Sequence, residues 1–454
     1  MKKACKLIIF LIMCCGCASG GVNQPKIPEV NLDTNFTESQ SKTERIALES
    51  IYNNQDFKLL QKQALIQNED IKIAISNIQA ARQTLNKTTL YFLPEISING
   101  SRLHKGDMNG GVNTHDNTET EFSAEAGLEL DVFGRGEMAK QIAATGLNLQ
   151  KTLHDQVKLE VSTEVARLYT QIASTKQQIA IQKQIISSFK EVLGMSQYAH
   201  KIGLISMTNL DKASNEYLTA DKNMSELESR HKILLKELSN ISGVKYDKIS
   251  NIQYELPTDN NKIYRLKDYN LANLRSIYNV VLAENNYLTS FYSLELQKKD
   301  LLPTISISGS ISSSTNILGT SIPWIIFPSV SYPLFKKNLI TSEINRQQSL
   351  LEASKDQYIK TIKSSILAIE SSFISYNTAI KSFNDSNKQY SHSTSIFNRL
   401  KDEHKQGNMS KLDFEKAKID FLNSEMMQIS AHASLKLSLL AVYKNTNGYI
   451  SNKG

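Results

Sequence analysis

All four cysteines of this 454-residue chain, Cys5, Cys14, Cys15 and Cys17, fall within the first seventeen residues. Thiols gathered there leave the rest of the chain without disulfide or thiol chemistry. The eight histidines, among them His104 and His115, stand apart from one another and show no metal-ligand spacing. No nucleophile-base pair and no phosphate-cradling glycine loop is legible, so an enzyme is not expected. Two short polar motifs remain, Gly203-Leu204-Ile205-Ser206 and Gly407-Asn408-Met409-Ser410. Their chemistry is that of the backbone: a glycine supports a tight reversal, and a serine hydroxyl caps the helix that returns.

The cysteines sit in a recognisable context. Lys2, Lys3 and Lys6 precede the apolar run Leu7 to Met13, which gives way to Cys14-Cys15-Gly16-Cys17. A basic head, a short apolar core and a small-residue exit are the grammar of a secretory signal peptide, too short to span a bilayer. Gly16 before Cys17 resembles the end of a bacterial lipoprotein signal, where a diacylglycerol-modified and palmitoylated cysteine becomes the new amino terminus. Cys14 stands where leucine is usual, and Cys15, preceded by Ile12 at that spacing, is the competing site. An ordinary cleaved signal is the plainer alternative. The expectation is removal of residues 1–16 and lipidation of Cys17, with no other cofactor.

The body of the chain must position the two turns. Its net charge of +7 comes from Lys and Arg scattered among acidic residues, which describes a solvated surface and no nucleic-acid partner. Residues 139–256 and 334–454 contain none of the eight prolines, as long uninterrupted helices require. In the first stretch positions 161, 165, 168, 172, 175, 179, 182, 186, 189 and 193 step by fours and threes, and only Thr175 and Gln182 are not apolar. In the second, Ile362, Ile366, Ile369, Phe373, Tyr376, Ile380, Phe383, Asn387, Tyr390, Thr394 and Phe397 keep the same rhythm. Sustained heptads predict helices packed side by side. Helices over 138–201 and 340–404 would each run about 100 Å, with returning helices over 207–242 and 411–445. A further helix is expected from Phe57 to Thr89.

Before each long helix the period changes to two. Phe122, Ala124, Ala126, Leu128, Leu130 and Val132 alternate with Ser123, Glu125, Gly127, Glu129 and Asp131. Ile305, Ile307, Gly309 and Ile311 alternate likewise with Ser306, Ser308 and Ser310. Shorter runs from Glu95 and from Ile322 to Tyr332 supply the partners, so each repeat offers a pair of strands about ten residues long, enough to cross a membrane at a tilt. The intervening His104–Glu121 and Ser313–Ser321 read as loops. Trp324 sits near a strand end, as an interfacial aromatic should. No run of eighteen apolar residues follows the signal, so no helical span is expected.

Leu93-Pro94-Glu95-Ile96-Ser97-Ile98 returns as Leu302-Pro303-Thr304-Ile305-Ser306-Ile307, and each copy leads through strands and a long helix to a Gly-x-x-Ser turn. The organisation predicted is a signal (1–16), a tether (17–45), a first repeat (46–245), a joining segment (246–266), a second repeat (267–445) and a tail (446–454). Four strands cannot close a barrel, and open edges are not tolerated in lipid. Two copies make a filled barrel of eight strands, whereas three make twelve strands and a pore. The predicted fold is therefore a mixed α/β membrane protein. In it a trimeric 12-stranded β-barrel continues into a long α-helical coiled-coil barrel, with two internal structural repeats per chain.

At this point the chain resembles the TolC family of outer-membrane efflux channels, in its lipoprotein branch serving resistance-nodulation-division (RND) pumps. The resemblance is carried by Ala64 to Ile71, the two Leu-Pro strand starts, Leu130-Asp131-Val132-Phe133-Gly134-Arg135-Gly136 and its weaker counterpart Tyr332-Pro333-Leu334-Phe335. The two turns add Asp211-Lys212-Ala213 and Glu415-Lys416-Ala417. It implies a homotrimer in outer-membrane lipid that extends into the periplasm and conducts passively. Its partners would be a periplasmic adaptor and an inner-membrane RND transporter. Gly203, Leu204, Ile205, Ser206, Gly407, Asn408, Met409 and Ser410 would contact the adaptor, and Leu412, Asp413 and Asp211 would form the gate. Asn209 in the first copy departs from Asp413 in the second and leaves the charge of that gate open. Alternatives are the exit duct of a type I protein secretion system, a metal-ion efflux complex or, outside the channels, an adaptor with a coiled-coil hairpin.

Overall fold

The structure, a computed structural model, describes residues 26–28, 45–90, 93–109, 112–257, 271–316 and 319–449. The signal segment, Cys15, Cys17, most of the tether, residues 258–266 and the last five residues lie outside the described residues.

The described chain is mostly helical with one small antiparallel sheet. It runs α1 (Gln55–Gln67), α2 (Glu69–Thr89), β1 (Glu95–Asn109), β2 (Val112–Leu130), α3 (Arg135–Lys201) and α4 (Met207–Ser242). It continues with α5 (Tyr278–Lys299), β3 (Thr304–Asn316), β4 (Gly319–Ser321), β5 (Trp324–Ser331), α6 (Lys337–Lys405) and α7 (Lys411–Asn445). Among the described residues no helix is long and apolar enough to cross a membrane. The fold divides into two compact units. One is drawn mainly from Ser76–Lys151 and Leu282–Ile359, the other mainly from Thr152–Val281 and the chain from Lys360 onward.

The first unit holds the sheet, ordered β1-β2-β3, with β4 and β5 both paired to β3. Three of its strands are longer than the ten residues expected, β1 with 15, β2 with 19 and β3 with 13, while β5 has 8. Most of the expected His104–Glu121 loop is therefore strand. Polar composition does not break a ladder that the backbone itself makes, and His104, Leu103 and Arg102 stay in register with Thr118, Glu119 and Thr120. The expected Ser313–Ser321 loop shrinks in the same way, since β3 continues to Asn316 and β4 begins at Gly319. Pro323 has no N–H to give and divides the partner strand into β4 and β5, although its carbonyl still accepts from the Ser312 N–H at 3.0 Å.

In the second unit a correction concerns the helix expected over Phe57–Thr89. It is broken at Asn68, whose ψ of 131° ends α1. The Asn68 side chain then accepts from the N–H groups of Asp70 and Ile71 at 3.0 and 3.3 Å, which starts α2. An asparagine competes well for those unpaired donors. Nearby Tyr52, Phe57, Tyr169 and Tyr254 form an aromatic cluster, with Tyr52 stacked on Phe57 at 4.5 Å and Tyr169 tilted on Tyr254 at 5.2 Å. The buried Tyr52 hydroxyl is bonded to Thr170 Oγ1 at 2.7 Å, and burial raises its pKa above the ordinary tyrosine value.

The heptads bury as expected through Val161, Val165, Leu168, Ile172 and Thr175. Further along α3 the buried apolar residues are Ile181, Ile185 and Val192, one position before the expected seam, while Gln182 on that seam is buried and Ile186, Phe189 and Leu193 are partly buried. Two adjacent stripes close over because α3 has two neighbours. Ala213 and Ala220 of α4, and Ile419, Leu422 and Ile429 of α7, join it in one cluster. Two of the polar heptad positions find partners across their own hairpins: Gln182 Nε2 donates to the Ala220 carbonyl at 2.8 Å, and Gln428 Nε2 donates to Asn387 Oδ1 at 2.9 Å.

Candidate functional site

The two Gly-x-x-Ser motifs form helix reversals of the same geometry. Gly203 and Gly407 have φ of +77° and +79°, the left-handed region that glycine adopts without strain. The N–H of Gly203 donates to His200 and that of Leu204 to Ala199, while Gly407 donates to His404 and Asn408 to Glu403, all at 2.8 to 3.0 Å. These bonds satisfy carbonyls that the ending helices leave free. Ser206 then accepts from the Asn209 N–H, and Ser410 from the Asp413 N–H, so both returning helices start capped. Leu204 and Asn408 are exposed, and Ile205 and Met409 half-buried.

Both turns contain a residue type that the sequence reading passed over. His200 Nδ1 donates to the Ile205 carbonyl at 3.1 Å, and His404 Nδ1 donates to the Met409 carbonyl at 3.0 Å. The signal was present as a histidine-lysine pair preceding each glycine by the same spacing, His200-Lys201 and His404-Lys405. The second hairpin carries an additional feature, a run of stacked rings between α6 and α7. His404 lies on Phe414 at 4.6 Å, Phe397 on Phe421 at 4.8 Å and Phe383 on His432 at 4.9 Å.

The three residues named for the gate are placed differently from one another. Leu412 is partly buried against the α3, α4 and α7 cluster. Asp413 is exposed and accepts from the Ser410 hydroxyl at 2.6 Å, so it stiffens the start of α7. Asp211 is exposed near the start of α4. Beside them Lys411 Nζ donates to Glu191 of α3 at 2.5 Å. That bond and the adjacent charge hold the Glu191 carboxyl below its ordinary pKa and the Lys411 ammonium above its own.

In the other unit the sheet has one apolar and one polar face, since directly paired residues share a face. Ile96, Ala126, Gly309 and Ile326 form one cross-strand row, and Ile98, Ala124, Ile311 and Trp324 another. This face is bare: Ile98 is 80% and Trp324 72% exposed. Opposite it lie the rows Ser97, Glu125, Ser310, Ile325 and Glu129, Ser306, Ser329, polar on β1 to β3 and broken on β5 by Ile325 and Phe327, and the two serine hydroxyls of the second row meet at 2.7 Å. Among the described residues the outer edges of β1 and β5 have no strand partner.

The motif Leu130 to Gly136 locks the end of β2 onto the lead-in to β3. Asp131 accepts from the N–H groups of Arg135, Gly136 and Glu137, the start of α3, where a carboxylate suits the helix dipole. The Arg135 guanidinium donates to Thr304 Oγ1 at 2.7 Å and to the carbonyls of Lys299 and Leu302, both at 2.8 Å. Glu129 and Asp300 stand 3.7 and 3.8 Å from it. The planar fork of arginine can serve several acceptors at once, as no other cation can.

A sheet that keeps its apolar face bare and its polar face lined with serine and glutamate, in a chain with capped helical hairpins, agrees with what is known by comparison. The family model for outer membrane efflux proteins matches residues 60–244 and 283–448. The chain is similar to nodulation protein T of Rhizobium leguminosarum bv. trifolii, 20% identical over 79% of this chain and 78% of that one. It is also similar to the cation efflux system protein CusC of Escherichia coli, 21% identical over 65% and 66% of the two chains. In fold it resembles the CmeC outer membrane channel of Campylobacter jejuni, with a TM-score of 0.81 and 16% identity over 95% of each chain. The chain belongs to the outer membrane efflux protein family, that of the TolC-type outer-membrane channels.

Proposed function

We propose that this chain is the outer-membrane duct of a tripartite efflux system, conducting drugs or other small molecules passively from a periplasmic adaptor and an inner-membrane RND transporter to the exterior. The observation that carries the reading is the sheet. A bare apolar face, a serine and glutamate face and two unpaired edges suit a strand set that meets lipid on one side and water on the other. Three copies would close it into a twelve-stranded barrel from the repeated strand pairs. Exposed apolar residues seven apart on one helix support such an assembly, Leu59 and Ile66 on α1 and Leu367 and Ile374 on α6.

In this reading the turns at Gly203–Ser206 and Gly407–Ser410 meet the adaptor. Asp413 and Asp211 face the gate with Leu412 packed behind them, and Cys17 carries the lipid. Cargo separates the alternatives. Deletion of the gene should raise susceptibility to drugs, and the native adaptor and pump should be recovered with the channel. A strain sensitised only to metal ions supports the cation-efflux reading, to which the similarity to CusC lends weight, and loss of a secreted polypeptide supports the secretion duct. Unchanged efflux with no adaptor recovered refutes the proposal. Mass analysis of the mature amino terminus tests the anchor, and an unmodified terminus elsewhere refutes it.

A further inference from the structure

The Arg135 contact has an unfilled counterpart in the same chain. Its acceptor is the turn before β3, in which the Leu302 N–H donates to the Lys299 carbonyl at 3.0 Å. Before β1 the Leu93 N–H likewise donates to the Leu90 carbonyl at 3.0 Å, and Pro94 follows as Pro303 does. No cation of the described residues sits on this first turn, and Glu95, in the place of Thr304, is exposed and has no ion-pair partner among them. A donor is left over as well. Lys337 opens α6 as Arg135 opens α3, two residues after Phe335 as Arg135 is after Phe133. Phe133 is half-buried, whereas Phe335 is fully exposed, and Lys337 too is exposed, its ammonium without a partner among the described residues.

The spare donor follows β5 and the spare acceptor precedes β1, the two strands with an unpaired edge. We propose that Lys337 of one copy pairs with Glu95 of the next, with Phe335 covered in the same contact, so that each junction between copies repeats the Arg135 arrangement found within the chain. This rests on the trimer proposed above. The strand register supports it. Transferring the β2–β3 pairing onto β5 and the next β1 sets Tyr332 opposite Ile96 and Val330 opposite Ile98, as Leu130 stands opposite Ile305 and Leu128 opposite Ile307. Apolar residues then meet apolar residues at the boundary between copies. The change of chemistry is consistent too. A guanidinium fork serves the neutral hydroxyl and carbonyls in the chain, and a compact ammonium serves a carboxylate between copies.

A water-soluble carbodiimide tests the contact, because it joins a carboxylate to an amine only where they touch, taking up the water that the new amide releases. The purified wild-type trimer should give covalent dimers and trimers on denaturing gels, with a peptide linking Glu95 to Lys337. Lys337→Arg, which keeps the charge but has no primary amine, and Glu95→Gln should each remove that peptide. Lys337→Glu and Glu95→Lys should each lower the temperature at which the trimer dissociates in detergent by roughly 1–2 °C, and the two together should restore it. A wild-type trimer that yields no such peptide, with charge reversals that leave its dissociation unchanged, overturns the contact and leaves the trimer standing. A wild-type chain that sediments as a monomer overturns both.

Discussion

Lys411, the first residue of α7, donates to the Glu191 carboxylate of α3 at 2.5 Å, and so ties the start of one returning helix to the long helix of the other hairpin. Glu191 has its pKa lowered by this bond and charge, so its contribution to stability is complete above the ordinary glutamate value and is lost as pH falls through the lowered one. Lys411 has its pKa raised, so its contribution is complete below the ordinary lysine value and is lost only as pH rises through the raised one. A double-mutant cycle of Glu191→Gln and Lys411→Met on thermal stability should therefore show coupling at neutral pH that is lost as acid takes Glu191 through its lowered value. Both groups are exposed, so high salt should weaken the coupling. Equal coupling in acid contradicts the assignment.

Arg135 serves three acceptors, and its substitutions should separate fork from charge. Arg135→Ala removes charged hydrogen bonds at a site that is 16% exposed, and should cost on the order of 2 kcal/mol. Arg135→Lys keeps the charge without the fork and should recover only part of the loss. Thermal denaturation of the purified protein in detergent reads both, and full recovery by lysine would show that charge alone matters there.

Gln182 occupies an apolar heptad position and is held by one bond to the Ala220 carbonyl. Gln182→Ala leaves a cavity and removes the second donor from a helical carbonyl, and should destabilise by about 1–3 kcal/mol. Gln182→Leu fills the space and should cost less than alanine does. Chemical or thermal melts rank the two, and the reverse order would mean that the hydrogen bond outweighs packing.

Gly407 has open space where a Cβ would stand, so Gly407→Ala meets only the backbone strain of its positive φ, about 1–2 kcal/mol. The chain should fold and assemble as wild type does, while recovery of the adaptor with it should fall because the turn is displaced. Gly203→Ala should behave likewise. Unchanged adaptor recovery from the double variant would detach these turns from adaptor contact.

Much of the fold was legible because its signals are local. Period two over Phe122 to Val132 places apolar and polar residues on opposite faces whatever lies around them, and β2 has those faces. The ends of the long helices follow from Gly203 and Gly407 with Ser206 and Ser410 behind them. The misreadings share one cause, which is that side-chain polarity stands in poorly for backbone pairing. The residues around Thr118 are polar, yet they pair with β1 through main-chain bonds. Asn68 looked like one polar position in a helix, yet its side chain caps a new one. His200 and His404 looked isolated because each acts on a carbonyl, which no side-chain pattern records.

The sequence by itself determined which faces are apolar, where the backbone reverses and which helix starts are capped, because these depend on residues within a turn or two of each other. Only the tertiary structure decided what each face meets. It set Leu412 against α3, joined Lys411 to Glu191 and brought Arg135 onto the turn before β3. It left Ile98, Trp324 and Phe335 bare. A period records that a face must be buried but not by which partner, since that depends on register and on competing faces far along the chain.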